Sequence, residues 1–199
     1  MNTVRKSVIW LTLALTVGAT PLVASVGLRG GVLVPQGAFK DLAKSGGSVE
    51  VVATLQALPV SVITVAVAIN TTSFGKKELS YSSGKQESKM GFTGGGFGVR
   101  VEPPSLIIRP FAEIMGRIAS IEQDYTKTAG ADVEIISKTR VGYQINGGLK
   151  WAFLPTTSIE VGAGYTVFPN VKLKNRQVET KTAVKTWGVF VGLRFNLGF

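Results

Sequence analysis

The sequence predicts an all-β fold, an eight-stranded antiparallel up-and-down transmembrane β-barrel. Three observations carry that prediction. Beyond Ser25, apolar residues alternate with small or polar ones, the period of a strand with two unlike faces. The connections between these runs are by turns short and long, so one end of the structure takes the tight turns and the other takes long polar segments. Mean hydropathy is +0.27 although 17% of the 199 residues are charged. A chain that apolar meets lipid, yet its one long uninterrupted apolar run lies at the N-terminus.

That N-terminal run reads as an export signal spanning residues 1–24. Arg5 and Lys6 form a positive head, residues 8–17 (VIWLTLALTV) an apolar stretch, and Ala19 or Ala24 a cleavage point. Ten apolar residues are too few to span about 30 Å of hydrocarbon as a helix. A cleaved signal peptide and a single barrel domain over 25–199 follow as expectations.

The strands are read in order from their alternation. The first, 26–34, turns Arg29 and Gly31 to its polar face. The second, 49–57, turns Glu50, Thr54 and Gln56 there. The third, 63–69, has Thr64, Ala66 and Ala68. The fourth, 92–101, is glycine-rich, with Gly94, Gly96, Gly98 and Arg100. The fifth, 106–118, carries Arg109, Glu113 and Arg117, and its Pro110 predicts a bulge because proline removes a ladder donor. The sixth, 141–153, sets Val141, Tyr143, Ile145, Leu149 and Trp151 against Arg140, Gln144, Asn146 and Lys150. The seventh, 158–167, sets Ile159, Val161 and Tyr165 against Ser158, Glu160, Gly162 and Gly164. The eighth, 187–199, is the clearest, with Trp187, Val189, Val191, Leu193, Phe195, Leu197 and Phe199 on one face. Segments 35–47, 71–91, 121–139 and 169–180 read as long polar loops.

Alternation alone does not say which face is inside. The apolar faces are long enough to cross a bilayer when tilted. The opposite faces hold small and charged residues, a poor soluble core but a suitable filling for a narrow eight-strand lumen. Aromatics collect near both ends of the apolar faces: Tyr143, Tyr165 and Trp187 at the long-loop end, Trp151, Phe153, Phe195 and Phe199 at the other. Two such girdles mark two lipid–water interfaces. The apolar face is therefore expected to look outward. A soluble secreted barrel is the alternative, and it needs an apolar cavity that the polar faces do not offer.

With these features the sequence resembles the small outer-membrane barrels of the OmpA/OmpX and opacity-protein kind. The signal peptide, eight alternating strands and a last strand ending in Phe199 carry the resemblance. It implies a Gram-negative type outer-membrane location and handling by the barrel-assembly machinery. In that family a terminal aromatic preceded by apolar residues at every second position is the assembly signal, which here implies Phe199, Leu197 and Phe195. The chain ends at the barrel, so no periplasmic peptidoglycan-binding domain is expected.

Candidate chemistry lies in two places. The polar faces project Arg29, Glu50, Arg100, Arg109, Glu113, Arg117, Arg140, Lys150, Glu160 and Arg194 into the lumen, with Glu102 at one mouth. These residues suit a neutralising ion-pair network; a small ion-conducting pore with a charged lumen is the alternative. The long segments carry Lys76, Lys77, Lys85, Lys172, Lys174 and Arg176, whose charges suit the phosphates of lipopolysaccharide or another acidic surface polymer. The net charge of +10 on an exported chain points to such partners rather than to nucleic acid.

Catalysis is not expected. With no His and no Cys, the chain lacks an imidazole base, a Ser-His-Asp triad, a thiolate nucleophile and the usual zinc ligands. No S-x-x-K motif places Ser and Lys for nucleophilic work, and Gly94-Gly95-Gly96 is not followed by the Lys-Ser/Thr of a phosphate loop. The acidic segment 121–139 has no calcium-loop spacing. No cofactor and no metal are expected.

Overall fold

The computed structural model describes residues 23–56, 62–81, 84–103, 107–127, 130–175 and 178–197. Nine hydrogen-bonded segments follow one another: β1 Val23–Gln36, β2 Gly46–Gln56, β3 Ile63–Phe74, β4 Lys77–Tyr81, β5 Gly84–Val101, β6 Ile108–Lys127, β7 Gly130–Ala152, β8 Thr157–Asn175 and β9 Val178–Leu197. β3 and β4 lie end to end against the same partner: Ile63–Ser73 face Val101–Gly91, and Lys77–Tyr81 face Ser88–Gly84. They form one stave with a break at Gly75, which leaves eight staves. Each stave pairs antiparallel with its sequence neighbours, and β1 with β9 closes the ring. Closure leaves no strand edge around the shared barrel wall of the described residues, as hydrocarbon requires.

The strands are longer than their alternation predicts. Three of the four segments read as long loops are largely continuations of the sheet. Glu122–Thr126 pair with Val133–Ser137, Val171–Asn175 with Val178–Thr182, and β4 with the start of β5. Ladder bonds are made by backbone, so a strand persists where the chain leaves lipid. There the polarity of the faces is reversed: Met90, Ile121, Val171 and Leu173 turn inward while Lys89, Glu122 and Lys172 face water, so the outward-apolar alternation does not continue into these segments.

The bulge expected at Pro110 is absent. The β6–β7 register runs unbroken from Ile108↔Trp151 through Pro110↔Leu149 and shifts only at Thr126/Lys127. The reason lies in the alternation of ladder bonds. Ala152 N–H donates to the Ile107 carbonyl, so odd-numbered residues here bond towards β7 and Pro110 faces the other way. On that side β5 stops pairing at Val101↔Ala112, so the proline forfeits no bond. A bulge sits instead at Pro169 and Asn170, between Phe168 and Val171, where Asn170 adopts φ 54°.

The apolar face looks outward, with Val141 67% and Val191 57% exposed. Tyr165 lies opposite Trp187, and Tyr143 is two residues from Tyr165's row on β7, all three exposed. At the other end the Trp151 and Phe153 rings lie 5.9 Å apart, tilted at 52°, and Phe195 is exposed two strands away on β9. From Tyr143 to Trp151 is about 27 Å along the strand at ~3.4 Å per residue. Tilted, that matches an apolar band of about 25 Å.

Candidate functional site

The interior is built from the inward row of each strand and has two parts. A layer of ion pairs fills the half nearer the short turns, and an apolar plug fills the half nearer the long hairpins.

Arg29 is the hub of the first layer. Its guanidinium contacts Glu50 (3.0 Å), Glu113 (2.9 Å) and Glu160 (3.1 Å), from β2, β6 and β8. Arg100 contacts Glu102 (2.8 Å), Glu113 (3.7 Å) and Glu160 (2.7 Å). Arg194 binds Glu160 at 2.6 Å and donates from Nη1 to Ser25 and Thr54, both at 2.9 Å. Arg117 pairs with Glu50 and donates to Gln144 at 2.5 Å. Lys150 pairs with Glu102. Asn146 donates to Glu113 at 2.7 Å and accepts from Gln144 at 2.9 Å. Each buried carboxylate is shared by at least two cations, which is how such charges tolerate removal from water.

Two aromatics lie inside this layer. The Arg29 guanidinium sits 4.9 Å from the Phe190 ring, and the Arg100 guanidinium 3.8 Å from Phe111. Cation–π contact of this kind helps hold desolvated cations. The space for the long arginine stems comes from inward glycines. A Cβ on Gly192 would fall 2.8 Å from Arg29 Cγ, and one on Gly96 would fall 2.6 Å from Arg117 Cδ.

Of the ten residues read as lumen charges, eight are buried: Arg29, Glu50, Arg100, Glu113, Arg117, Lys150, Glu160 and Arg194. Arg109 is at the mouth, partly exposed, 3.6 Å from Glu102. Arg140 does not join them. It lies opposite Ala119, level with the apolar plug, and donates to its neighbour's carbonyl, Thr139 O, at 3.0 Å. Glu102 is beyond the end of β5. Burial raises its carboxyl, but the Arg100 guanidinium and Lys150 ammonium outweigh that and hold it below the ordinary carboxylate range.

The plug was not foreseen from sequence. After Gln36 the chain turns through Gly37, at φ 59°, into a short 3-10 helix, η1 Gly37–Asp41, which folds into the barrel. Phe39, Leu42 and Ala43 are buried against Phe74, Met90, Phe92, Ile121 and Phe168. Phe39 meets Phe74 edge-on at 5.1 Å, and Phe92 meets Phe168 at 5.4 Å. The segment 35–47 is polar on average, which hid the Phe39–Leu42 pair; Phe92, Phe111 and Phe190 were detectable from their inward parity.

The basic rim is placed only in part. Lys76 pairs with Glu87 at 3.0 Å, both exposed, and Lys77 donates to the Lys40 carbonyl. Lys172 stands opposite Lys181 on the β8–β9 hairpin. The side chains of Lys85 and Lys174 are outside the described residues, as is all of Arg176. Phe195 and Leu197 lie on the outward row of β9; Phe199 and residues 1–22 of the expected signal segment 1–24 fall outside the described residues, while Val23 and Ala24 begin β1. Among the described residues, no group of carboxylates is gathered as a metal site would need.

No family model and no curated protein matches the chain. Solved structures do resemble it. A major outer membrane protein from Thermus thermophilus superposes with a TM-score of 0.64 at 12% identity, over 88% of this chain and 99% of that one. The outer membrane protein OprG from Pseudomonas aeruginosa gives 0.55 at 9% identity, over 90% and 97%. Neisserial surface protein A gives 0.53 at 14% identity, over 91% and 100%. At these identities the likeness is one of fold: the chain has the architecture of small outer-membrane β-barrels.

Proposed function

We propose that the protein is an integral outer-membrane barrel with a structural or surface-interaction role and no catalytic activity. One observation carries the reading: a continuous belt of apolar side chains is exposed on the outside of the barrel while half of its interior is filled by charged groups, unlike a soluble barrel. Exposing that belt to water would be costly at about 25 cal/mol per Å², whereas lipid accepts it. The neighbours of like fold are outer-membrane and surface proteins, which supports a location in a Gram-negative type outer membrane. Export by a cleaved signal peptide rests on the sequence pattern of residues 1–24 alone. The C-terminal residues Phe195, Leu197 and Phe199 would serve recognition by the barrel-assembly machinery.

Two layers argue against the alternative of a conducting pore. Shared ion pairs occupy the lumen at one level, and Phe39, Phe74, Phe92 and Phe168 pack across it at another. The partners would be the surrounding lipid and lipopolysaccharide, whose phosphates suit the exposed Lys76 and Lys172 and the partly exposed Lys77. Lys85, Lys174 and Arg176 would add to that rim. Reconstitution tests both points. The folded protein should shift in gel mobility on boiling and give no single-channel steps in a planar bilayer. Steady conductance would overturn the closed-barrel reading, and ready solubility without detergent would overturn the membrane reading.

A further inference from the structure

The outward faces at the long-hairpin end differ from wall to wall. On the wall formed by β3, β4, β5 and β6, lysines stand against acids: Lys76 pairs with Glu87 at 3.0 Å, and Lys89 is opposite Asp124 in the ladder. Where the lipid-facing rows of β3 and β5 end, the Thr71 and Thr93 hydroxyls share a hydrogen bond of 3.1 Å. The wall of β7, β8 and β9 is built otherwise. Its apolar rows reach the exposed aromatics Tyr143, Tyr165 and Trp187, and on β8 and β9 the charges beyond them are basic.

The row on β9 shows this best. Exposed Val191, Val189 and Trp187 lead, two residues at a time, to exposed Lys185 and, past Ala183, to exposed Lys181. Lys181 stands directly opposite Lys172 of β8. Val171 and Leu173, on either side of Lys172, are buried, so exposed Lys172 shares the outward face. Like charges directly opposite in a ladder repel, and an anion between them relieves the repulsion. No acid occurs in either strand between the Tyr165↔Trp187 and Lys172↔Lys181 pairs. The short helix η1 packs against β9 and β1 and adds exposed Lys40, with one exposed acid, Asp41, beside it.

We propose, resting on the reading of lipopolysaccharide as a partner, that one phosphorylated glycolipid of the outer leaflet docks lengthwise on the β8–β9 wall. Its acyl chains lie along Val189 and Val191, its headgroup begins at Trp187, and its phosphates meet Lys185 and the Lys172–Lys181 pair. Apolar, aromatic and basic residues in one continuous row fit an amphiphile; a soluble polyanion has nothing to place on the apolar part. Lys181 lies four residues beyond Lys185, about 14 Å along the strand. Cations at two such levels fit a saccharide headgroup with more than one phosphate. The single phosphodiester of an ordinary phospholipid is too short to reach both.

Native mass spectrometry of the folded barrel, titrated in detergent with bisphosphorylated lipid A, tests the site. The wild type should retain lipid A in preference to phosphatidylglycerol. Each lysine beside an anionic surface contributes roughly fivefold to affinity, so the double variant Lys181→Gln/Lys185→Gln should bind about 25-fold more weakly. Lys76→Gln, on the wall where lysine already meets acid, should bind as the wild type does. All variants should keep the heat-dependent gel shift of the folded barrel. Wild-type affinity in the double variant overturns the site while leaving lipopolysaccharide as a partner, and a loss in Lys76→Gln alone moves the contact to the other wall. Equal retention of phosphatidylglycerol overturns the glycolipid, and equal binding of the deacylated bisphosphorylated disaccharide overturns the amphiphile in favour of a soluble polyanion. No retention of lipid A by the wild type overturns both the site and the partner it rests on.

Discussion

Arg29 and Glu113 meet at the barrel centre in a two-pronged pairing, Nη1 to Oε1 at 2.9 Å and Nη2 to Oε2 at 3.1 Å. They come from β1 and β6, strands that are not neighbours in the sheet. The pair therefore ties opposite walls across the lumen, and the planar fork of the guanidinium fixes the angle at which they meet.

Removing Glu113 leaves the buried Arg29 and Arg100 short of a shared carboxylate. Breaking a buried pair from one side costs on the order of 3–5 kcal/mol. The exposed Lys76–Glu87 pair, at a similar 3.0 Å, is worth about 0–1 kcal/mol. Glu113→Ala should accordingly lower the urea midpoint of the vesicle-folded protein well below that of Glu87→Ala. Equal midpoints would mean that water screens the lumen.

Phe39 tests the plug. Its side chain is fully buried and packs edge-on against Phe74. Phe39→Ala should cost about 3–5 kcal/mol as a cavity-forming change. It should still give no conductance, because the ion-pair layer continues to fill the lumen below. Channel steps in the Phe39→Ala variant would place the whole barrier to ions in the plug.

Two glycines on opposite faces give a controlled comparison. A Cβ on the inward Gly162 would lie 2.6 Å from the Phe190 ring and 2.6 Å from the Gly147 carbonyl, while one on the outward Gly30 meets nothing within 4 Å. Overpacking costs roughly 1–3 kcal/mol, and Phe190 also carries the contact to Arg29. Gly162→Ala should destabilise by about that amount and Gly30→Ala by much less. Unfolding midpoints measured side by side decide it.

The faces of the strands were legible in the sequence because parity is a local property. Arg29, Glu50, Glu113 and Glu160 each fall on the small-residue row of their own strand, and the structure puts each inside. Which charge meets which was not legible, since the partners of Arg29 come from three distant strands and depend on barrel closure. Arg140 shows the limit: it has the right parity but stands too far along the axis to reach the network. Phe39 was hidden for a different reason. It sits in a segment with no strand period, and its burial depends on Gly37 turning the chain inward. Pro110 misled because the cost of a proline depends on which side its nitrogen faces, and that is set by the neighbouring strand's end.

Glu102 gives the pH dependence its sign. Its carboxyl is held below the ordinary value of 4.5 by Arg100 and Lys150, against the opposing effect of burial. In the unfolded chain the same group protonates first as pH falls, so the unfolded state binds more protons in that window and folding is penalised. The contribution is complete above the ordinary carboxylate value and disappears as pH drops through the depressed folded one. Glu102→Gln keeps the shape and removes the titration. Its unfolding midpoint should be lower than the wild type's at neutral pH, because Lys150 and Arg100 lose a counter-charge. The two midpoints should then converge below pH ~4 as the wild-type carboxyl is neutralised in turn. Midpoints followed from neutral to strongly acid pH in vesicles check this. A gap that stays constant across the acid range would remove Glu102 from the groups that set acid stability.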